Sequence, residues 1–392
     1  MQPTADRMSH LAPHFFASLS ARIRSLQAAG GDIIRLDEGA PDLPPAPHII
    51  EALVHCARQP DAHSYQPHIG PAALRRAWAD HYLREYSVEL DPDTEIVPLL
   101  GSKEGIFHLS QAYVNPGDVV LVPDPGYITY TRGALFAGGE VVSMPLWREN
   151  GYLPDFHAIP TETLRRARLM WLNYPNNPTA ATASREFFAQ AVALALEYGF
   201  LLCHDAAYMQ VAFDGERPPS LLEAPGAKET AVEFNTLSKS HNMAGWRSGA
   251  LLGNAQVARA LFTLKTNADS GHFLPIWEAS IAALTGDQTW LKARNEVYRQ
   301  RRDRVIEGLH ALGLSVETPR ASLYVWAAVP EGWSSMDFAA ALLENTGVSV
   351  TPGTIFGKGG EGYVRISLTA PLERIDEAMH RIGDWMTGKN KE

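Results

Sequence analysis

Short apolar runs alternate with amphipathic stretches between about residues 95 and 285. Several of these runs are apolar on consecutive residues, which is typical of strands that are buried on both faces of a sheet. Helical patterns such as 104–114 and 185–198 separate them. The apolar runs lie at 119–122, 141–144, 169–172, 200–203, 231–234 and 249–252. The pattern predicts an α/β fold with a mostly parallel central sheet flanked by helices.

The pattern changes after about residue 285, where helical and strand-like stretches no longer alternate regularly. A smaller α+β domain is expected there, and this domain would also include a short strand at 33–36. Helices are also predicted at 48–58 and 71–86, after a proline-rich segment at 41–47 that suits neither helix nor central strand. The C-terminal elements are predicted at 290–312 (helix), 322–326 (strand), 335–346 (helix), 348–351 and 363–368 (strands) and 371–386 (helix). The predicted division is 1–47 (N-terminal arm and part of the small domain), 48–285 (large domain) and 286–392 (C-terminal small domain).

Length and composition narrow the class of protein. A chain of 392 residues is long for one hydrophobic core, so two domains are expected. The formal net charge of −10 argues against a nucleic-acid partner, and no apolar run is long enough to span a membrane. Cys56 and Cys203 are predicted to be two reduced thiols. The polar N-terminus lacks the pattern of a signal peptide, so a cytoplasmic location is expected.

Candidate chemistry follows the predicted strands, because ligands of such sheets bind beyond the carboxyl ends of the strands. Gly101, Ser102 and Lys103 open a helix after one apolar run, and free N–H groups at such a position favour an anion. On its own this segment equally suits a plain tight turn. Tyr127 follows a second run and Asn177 a third, where a packed tyrosine and a simple turn are the alternatives to ligand contacts.

Two further strand ends carry charged side chains. Asp205 ends an apolar run, and a buried carboxylate there requires a partner, either in a structural salt bridge or in a ligand. Lys239 lies in a segment with few other charges, so partial burial would lower the pKa of its amine and make it a nucleophile toward aldehydes. Arg247 follows eight residues later, and its planar guanidinium suits a phosphate.

These segments, in this order and followed by Arg365, resemble the class I/II aminotransferases of fold type I from about residue 32 to 386. The resemblance implies a pyridoxal 5′-phosphate cofactor. Lys239 would form a Schiff base with the cofactor aldehyde and then move the substrate proton. Asp205 would pair with the pyridine nitrogen, while Tyr208 and Asn177 would hydrogen-bond the 3-oxygen of the ring.

The resemblance also implies the remaining binding residues. Tyr127 would stack on the cofactor ring. Arg365, together with Gly39 and Asn177, would bind the substrate α-carboxylate. Tyr65 would reach the phosphate of the neighbouring subunit, which implies a homodimer with a shared active site. The phosphate would be surrounded by Gly101, Ser102, Lys103, Thr236, Ser238 and Arg247. One departure is Ala180, where the family often has glycine, and a methyl group is tolerated there unless the backbone needs a positive φ.

Several segments, among them 99–106, 115–127 and 169–179, resemble the LL-diaminopimelate aminotransferase group. This implies transfer of an amino group from LL-2,6-diaminopimelate to 2-oxoglutarate, with Lys103 and Glu104 as candidates for contacting the distal groups of the donor. The alternatives are an aspartate, alanine, aromatic or N-succinyl-diaminopimelate aminotransferase, and a pyridoxal-phosphate-dependent C–S β-lyase. No helix-turn-helix precedes the domain, which argues against a transcription regulator, and no Gly-x-Gly-x-x-Gly motif indicates a nicotinamide dehydrogenase.

Overall fold

The computed structural model describes residues 4–10 and 15–388. The predicted N-terminal arm and C-terminal domain include residues 1–3, 11–14 and 389–392, which lie outside the described residues. The helices are α1 Phe15–Ala28, α2 Pro47–Ala57, α3 Ala72–Tyr86, α4 Ser102–Tyr113, α5 Thr129–Phe136, α6 Thr161–Arg166, α7 Arg185–Tyr198, α8 Ala227–Thr230, α9 Leu237–Ser240, α10 Ala255–Ala268, α11 Leu274–Thr285, α12 Trp290–Ala311, α13 Ser335–Thr346 and α14 Leu372–Met386. The strands are β1 Ile34–Arg35, β2 Ile96–Leu99, β3 Val119–Asp124, β4 Glu140–Pro145, β5 Ala167–Asn173, β6 Leu201–Asp205, β7 Ala231–Thr236, β8 Gly249–Gly253, β9 Tyr324–Ala328, β10 Val348–Ser349, β11 Thr351–Pro352 and β12 Tyr363–Ser367.

A seven-stranded sheet in the order β2-β8-β7-β6-β5-β3-β4 forms the centre of the fold. The strands from β7 to β4 pair in parallel, while β8 pairs antiparallel with both of its neighbours. All residues of β6, β7 and β8 are buried, because helices cover both faces of the sheet. The predicted α/β fold with a mostly parallel central sheet is confirmed.

A second, smaller sheet has the order β11-β12-β9, and both of its pairings are antiparallel. The strand predicted at 348–351 is wrong as a single element. Val350 separates β10, which pairs in parallel with β1, from β11, which pairs with β12. The chain therefore changes sheets within four residues, and an apolar run alone does not reveal such a change.

Local signals in the sequence fix several helix ends. Ser184 accepts a hydrogen bond from the backbone N–H of Phe187 at the start of α7, and Gly199 ends that helix in a left-handed conformation. Ser334 and Gly347 do the same for α13. Cys56 and Cys203 are buried free thiols, as predicted. Within the described part of the chain, no helix has both the length and the apolar character needed to cross a bilayer.

Candidate active site

The carboxyl ends of β5, β6 and β7 open onto a cavity of about 560 Å³. Parallel strands end at the same edge of a sheet, so residues that are far apart in sequence meet there. Of the residues predicted for the site, the cavity is lined by Gly39, Ser102, Lys103, Tyr127, Asn177, Asp205, Tyr208, Thr236, Ser238, Lys239, Arg247 and Arg365. The structure thus brings most of the predicted set together around one space.

Lys239 lies in the short helix α9, directly after β7. The Thr236 side chain accepts a hydrogen bond from the backbone N–H of Ser238 at 3.1 Å and so fixes the start of this helix. The Lys239 amine donates a hydrogen bond to the carbonyl oxygen of Gly39. Burial, followed by the charges of Arg365 and Arg247, lowers the pKa of Lys239 to about 8.

Asp205 is the last residue of β6 and is buried. Its Oδ2 accepts a hydrogen bond from the Tyr130 hydroxyl at 2.7 Å, whereas its Oδ1 has no partner within the described residues. Burial raises the pKa of Asp205 to about 6. A buried carboxylate oxygen without a donor is costly, so this atom fits a ligand that presents an N–H group to it.

An anion site lies where α4 begins. Gly101 adopts φ +80°, and a Cβ at this position would contact the Arg247 guanidinium. The buried Ser102 hydroxyl has no partner among the described residues, and Arg247 lies 3.5 Å from the Ser238 hydroxyl. Burial and the charges of neighbouring arginines lower the pKa of Lys103. Two cations, an unpaired hydroxyl and a helix N-terminus together fit a phosphate.

A second anion site surrounds Arg365 on β12. This arginine is 3% exposed, and it donates hydrogen bonds to the Asn177 side chain and to the Asp37 carbonyl oxygen, each at 2.9 Å. Its guanidinium lies 4.1 Å from the centre of the Tyr324 ring. No carboxylate among the described residues forms a salt bridge with it. A buried cation without a counter-ion fits a ligand carboxylate.

Two tyrosines in the site were missed by the sequence analysis. Tyr130 holds Asp205, and Tyr324 shares a hydrogen bond of 2.8 Å with the Tyr208 hydroxyl. Tyr127 packs edge-on against Tyr130, with ring centres 5.7 Å apart. Tyr324 was predicted only as part of a strand, and its role depends on the approach of the smaller sheet to β6, which no local pattern indicates.

Two predicted residues, Tyr65 and Glu104, do not line the cavity, and a third, Ala180, has an unusual backbone conformation. Tyr65 is 95% exposed and does not line the cavity of this single chain. Glu104 does not line it either, because its carboxylate is bound by Lys265 at 3.1 Å and by the backbone N–H of Leu100 at 2.8 Å. Ala180 adopts φ +61°. The turn therefore does use the conformation that glycine favours, and an alanine occupies it.

The sequence matches the family model of class I and II aminotransferases over residues 31–382. The chain belongs to the class I and II aminotransferases. The LL-diaminopimelate aminotransferase of Desulforudis audaxviator is 52% identical over 96% of each chain, and that of Moorella thermoacetica is 50% identical over 96% of this chain and 97% of its own.

Solved structures of similar proteins have the same fold. The substrate-bound BacF structure from Bacillus subtilis superimposes with a TM-score of 0.95 at 39% identity, covering 98% of each chain. The probable N-succinyldiaminopimelate aminotransferase of Thermus thermophilus gives a TM-score of 0.89 at 36% identity, covering 94% of this chain and 98% of the other.

This aminotransferase is a pyridoxal-phosphate enzyme. The cofactor supplies an aldehyde that condenses with amines and a ring that withdraws electrons from the bound substrate. The cavity fits such a molecule on three counts: unpaired cations for a phosphate, an unpaired carboxylate oxygen for a protonated ring nitrogen, and a partly desolvated amine between them.

The lowered pKa of Lys239 predicts how the apoprotein takes up pyridoxal phosphate. Only the neutral amine attacks an aldehyde, so the rate of uptake should rise with pH through a midpoint near pH 8, where Lys239 loses its proton. The measurement is the growth of cofactor absorbance in the visible range after mixing, over a pH series. Nα-acetyl-lysine in the same series corrects for titration of the aldehyde. A midpoint near the ordinary lysine value of 10.5 would contradict the account.

The positive φ of Ala180 predicts an unusual effect of glycine. The left-handed conformation costs an L-residue about 1–2 kcal/mol, which glycine avoids. The matched control is Ala181→Gly, since Ala181 has no positive φ. We expect the free energy of unfolding of Ala180→Gly to exceed that of Ala181→Gly by about 1 kcal/mol in chemical denaturation. Equal stabilities would show that this turn is not strained.

Proposed function

We propose that the enzyme transfers an amino group from LL-2,6-diaminopimelate to 2-oxoglutarate. Relatives that are 44–52% identical over 96–97% of this chain are LL-diaminopimelate aminotransferases, and this similarity carries the assignment. The site supports a transfer between amino and 2-oxo acids, because it combines a partly desolvated lysine, a buried acid and two cationic ends.

In this proposal Arg365 binds the α-carboxylate common to donor and acceptor. Hydrogen bonds to Asn177 and to the Asp37 carbonyl oxygen hold its guanidinium in one orientation. The planar fork then sets the direction in which the substrate Cα points. Gly39 lies beside Lys239, and a Cβ at this position would collide with the Tyr324 hydroxyl.

Lys239 is the proposed acid and base. Its amine, with a pKa near 8, would accept the proton from the substrate Cα, and the resulting ammonium would give a proton back to complete the transfer. Asp205 would supply the negative charge that holds the ring nitrogen in its protonated form. Tyr130 fixes the orientation of that carboxylate.

The remaining residues position the cofactor in this proposal. Tyr127 would cover one face of the ring, and Tyr208 and Asn177 would donate hydrogen bonds to its 3-oxygen. Tyr208 is itself held by Tyr324 at 2.8 Å, which orients its hydroxyl. The phosphate is proposed to be bound by Gly101, Ser102, Lys103, Thr236, Ser238 and Arg247.

A homodimer with a shared active site is part of the proposal. Tyr65 is 95% exposed, and the apolar side chains of Ile50, Val54 and Phe273 on neighbouring segments are 38–42% exposed. His63, two residues before Tyr65, packs its ring against Phe273. Exposed apolar groups of this kind mark surfaces that a partner covers. Such a dimer would bring Tyr65 to the partner's phosphate.

The division into domains at 48–285 and 286–392, with residues 1–47 shared between an arm and the small domain, remains our proposal. It is supported by the seven-stranded sheet, which lies within residues 96–253, and by a separate hydrophobic core that joins Ile34 and Leu36 to residues of α12, α13 and α14. A cytoplasmic location also stays a prediction, and the free buried cysteines agree with it.

A donor screen tests the proposed substrate. Purified enzyme with 2-oxoglutarate should form glutamate with its highest kcat/KM from LL-diaminopimelate, compared with aspartate, alanine, phenylalanine and N-succinyl-LL-diaminopimelate. Cystathionine should release no pyruvate. Lys239→Ala should lose the visible cofactor absorbance, and its rate of transfer should fall about 10²–10⁴-fold. Lys228→Ala removes an exposed ion pair with Glu95 and should keep both the absorbance and the rate. A higher kcat/KM from another donor would overturn the substrate assignment.

The shared site predicts the effect of a single hydroxyl. Tyr65→Phe should weaken cofactor retention by about 10- to 150-fold, since a hydrogen bond to a charged group contributes about 1.5–3 kcal/mol. Retention is measured by equilibrium dialysis, and sedimentation should show that the variant is still a dimer. Tyr198→Phe, at the end of α7, is the matched control. Unchanged retention in a Tyr65→Phe dimer, or a monomeric wild type, would contradict the shared site.

A further inference from the structure

Three charged side chains at one wall of the active-site cavity form a group that we name the rim cluster: Arg35, Asp37 and Glu38. Arg35 donates to both carboxylate oxygens of Asp37, at 2.8 and 2.7 Å. Its remaining Nη1 lies 3.0 Å from the Glu38 carboxylate. The cluster begins at the last residue of β1 and ends beside Gly39, so it belongs to the segment that contacts the reacting lysine.

The rim cluster has one negative charge in excess. Asp37 is buried and takes the bidentate face of Arg35, a geometry that neutralises both groups. The hydrogen bonds that Arg35 donates to Asp37 raise the pKa of the arginine, so it keeps its proton. Glu38 shares only one further N–H, and its side chain is 52% exposed. Its carboxylate is therefore free to accept another donor.

Glu38 lies in the sequence between two residues whose carbonyl oxygens contact Arg365 and Lys239. The carbonyl oxygen of Asp37 accepts from Arg365 at 2.9 Å, and the carbonyl oxygen of Gly39 accepts from Lys239. Glu38 lines the same cavity as Arg365 and Lys239. A substrate with its α-carboxylate on Arg365 and its Cα beside Lys239 would therefore share that cavity with the Glu38 side chain.

The other acidic groups of the cavity are already committed. Among the described residues that line it, the carboxylates are those of Asp37, Glu38 and Asp205. Asp37 is bound by Arg35. Tyr130 donates to one oxygen of the buried Asp205, and in the proposed function the protonated ring nitrogen would take the other. Glu104 is outside the cavity and bound by Lys265. Glu38 is thus the acidic group that remains for a positively charged substrate.

We propose that Glu38 is a specificity-determining residue that binds the distal ammonium group of the amino donor. This inference rests on the proposed function, since LL-diaminopimelate carries a second ammonium group at the end of its chain. Glutamate and 2-oxoglutarate lack that group. The two half-reactions of the enzyme therefore differ in their need for Glu38, and the glutamate half-reaction acts as an internal control.

The test compares single half-reactions of the holoenzyme, followed by the change in cofactor absorbance on mixing with one amino acid. LL-diaminopimelate is compared with L-2-aminopimelate, which has the same carbon chain and both carboxylates but no distal amino group. The wild type should prefer LL-diaminopimelate. Glu38→Gln should reduce that preference about tenfold, the size expected for a partly enclosed ion pair, while the reaction with glutamate should not slow.

Two further variants separate binding from structure. Glu344→Gln removes an equally exposed glutamate that pairs with Arg22 at 3.6 Å, and it should keep the full preference. Glu38→Asp retains the charge and should restore part of the preference that Glu38→Gln loses. A uniform loss with all three amino acids would mean that Glu38 only supports the fold, and it would overturn the inference.

The remaining outcomes distinguish this inference from the proposed function. If the wild type prefers LL-diaminopimelate and Glu38→Gln keeps that preference, the role of Glu38 is wrong and the substrate assignment stands. If the wild type reacts with glutamate but not with LL-diaminopimelate, the substrate assignment is wrong, and the inference falls with it.

Discussion

A lysine amine that is partly removed from water and faces two guanidinium groups is the constraint on which the rest of the site depends. Burial lowers the pKa of Lys239 to about 8, with Arg365 and Arg247 as the next causes. The fold creates this situation by ending β7 directly before α9 and by bringing the segment at Gly39 across from the smaller sheet. Lys239 and Arg247 lie between β7 and β8 of the large sheet, whereas Arg365 lies on β12 of the small sheet.

The distribution of charge in the cavity accounts for what the enzyme binds. Cations without acidic partners lie at two positions, near the start of α4 and on β12, while the buried acid Asp205 has one unpaired oxygen. Leaving such groups unpaired costs free energy, and a bound cofactor and substrate offset that cost. A dianionic phosphate, a protonated ring and a carboxylate are the chemical groups that match these positions, which agrees with membership of the class I and II aminotransferases.

Much of the fold follows from the sequence because strands buried on both faces leave consecutive apolar residues, as in β6 and β7. Residues at the ends of such strands, Asp205 and Lys239 among them, could be selected because a parallel sheet gathers these ends at one edge. Contacts between the two sheets were not predictable, since Tyr324 and Glu38 reach the cavity only through tertiary packing. The change of sheet at Val350 is likewise set by distant contacts rather than by local pattern.

Chemical trapping of the cofactor tests the role of Lys239 most directly. Borohydride reduction of the holoenzyme, followed by proteolysis and mass spectrometry, shows which lysine carries the pyridoxyl group. We predict modification of the peptide that contains Lys239 and of no other lysine. Lys103 lines the same cavity and is the natural competitor, so a pyridoxyl group on Lys103, or no covalent attachment at all, would contradict the account.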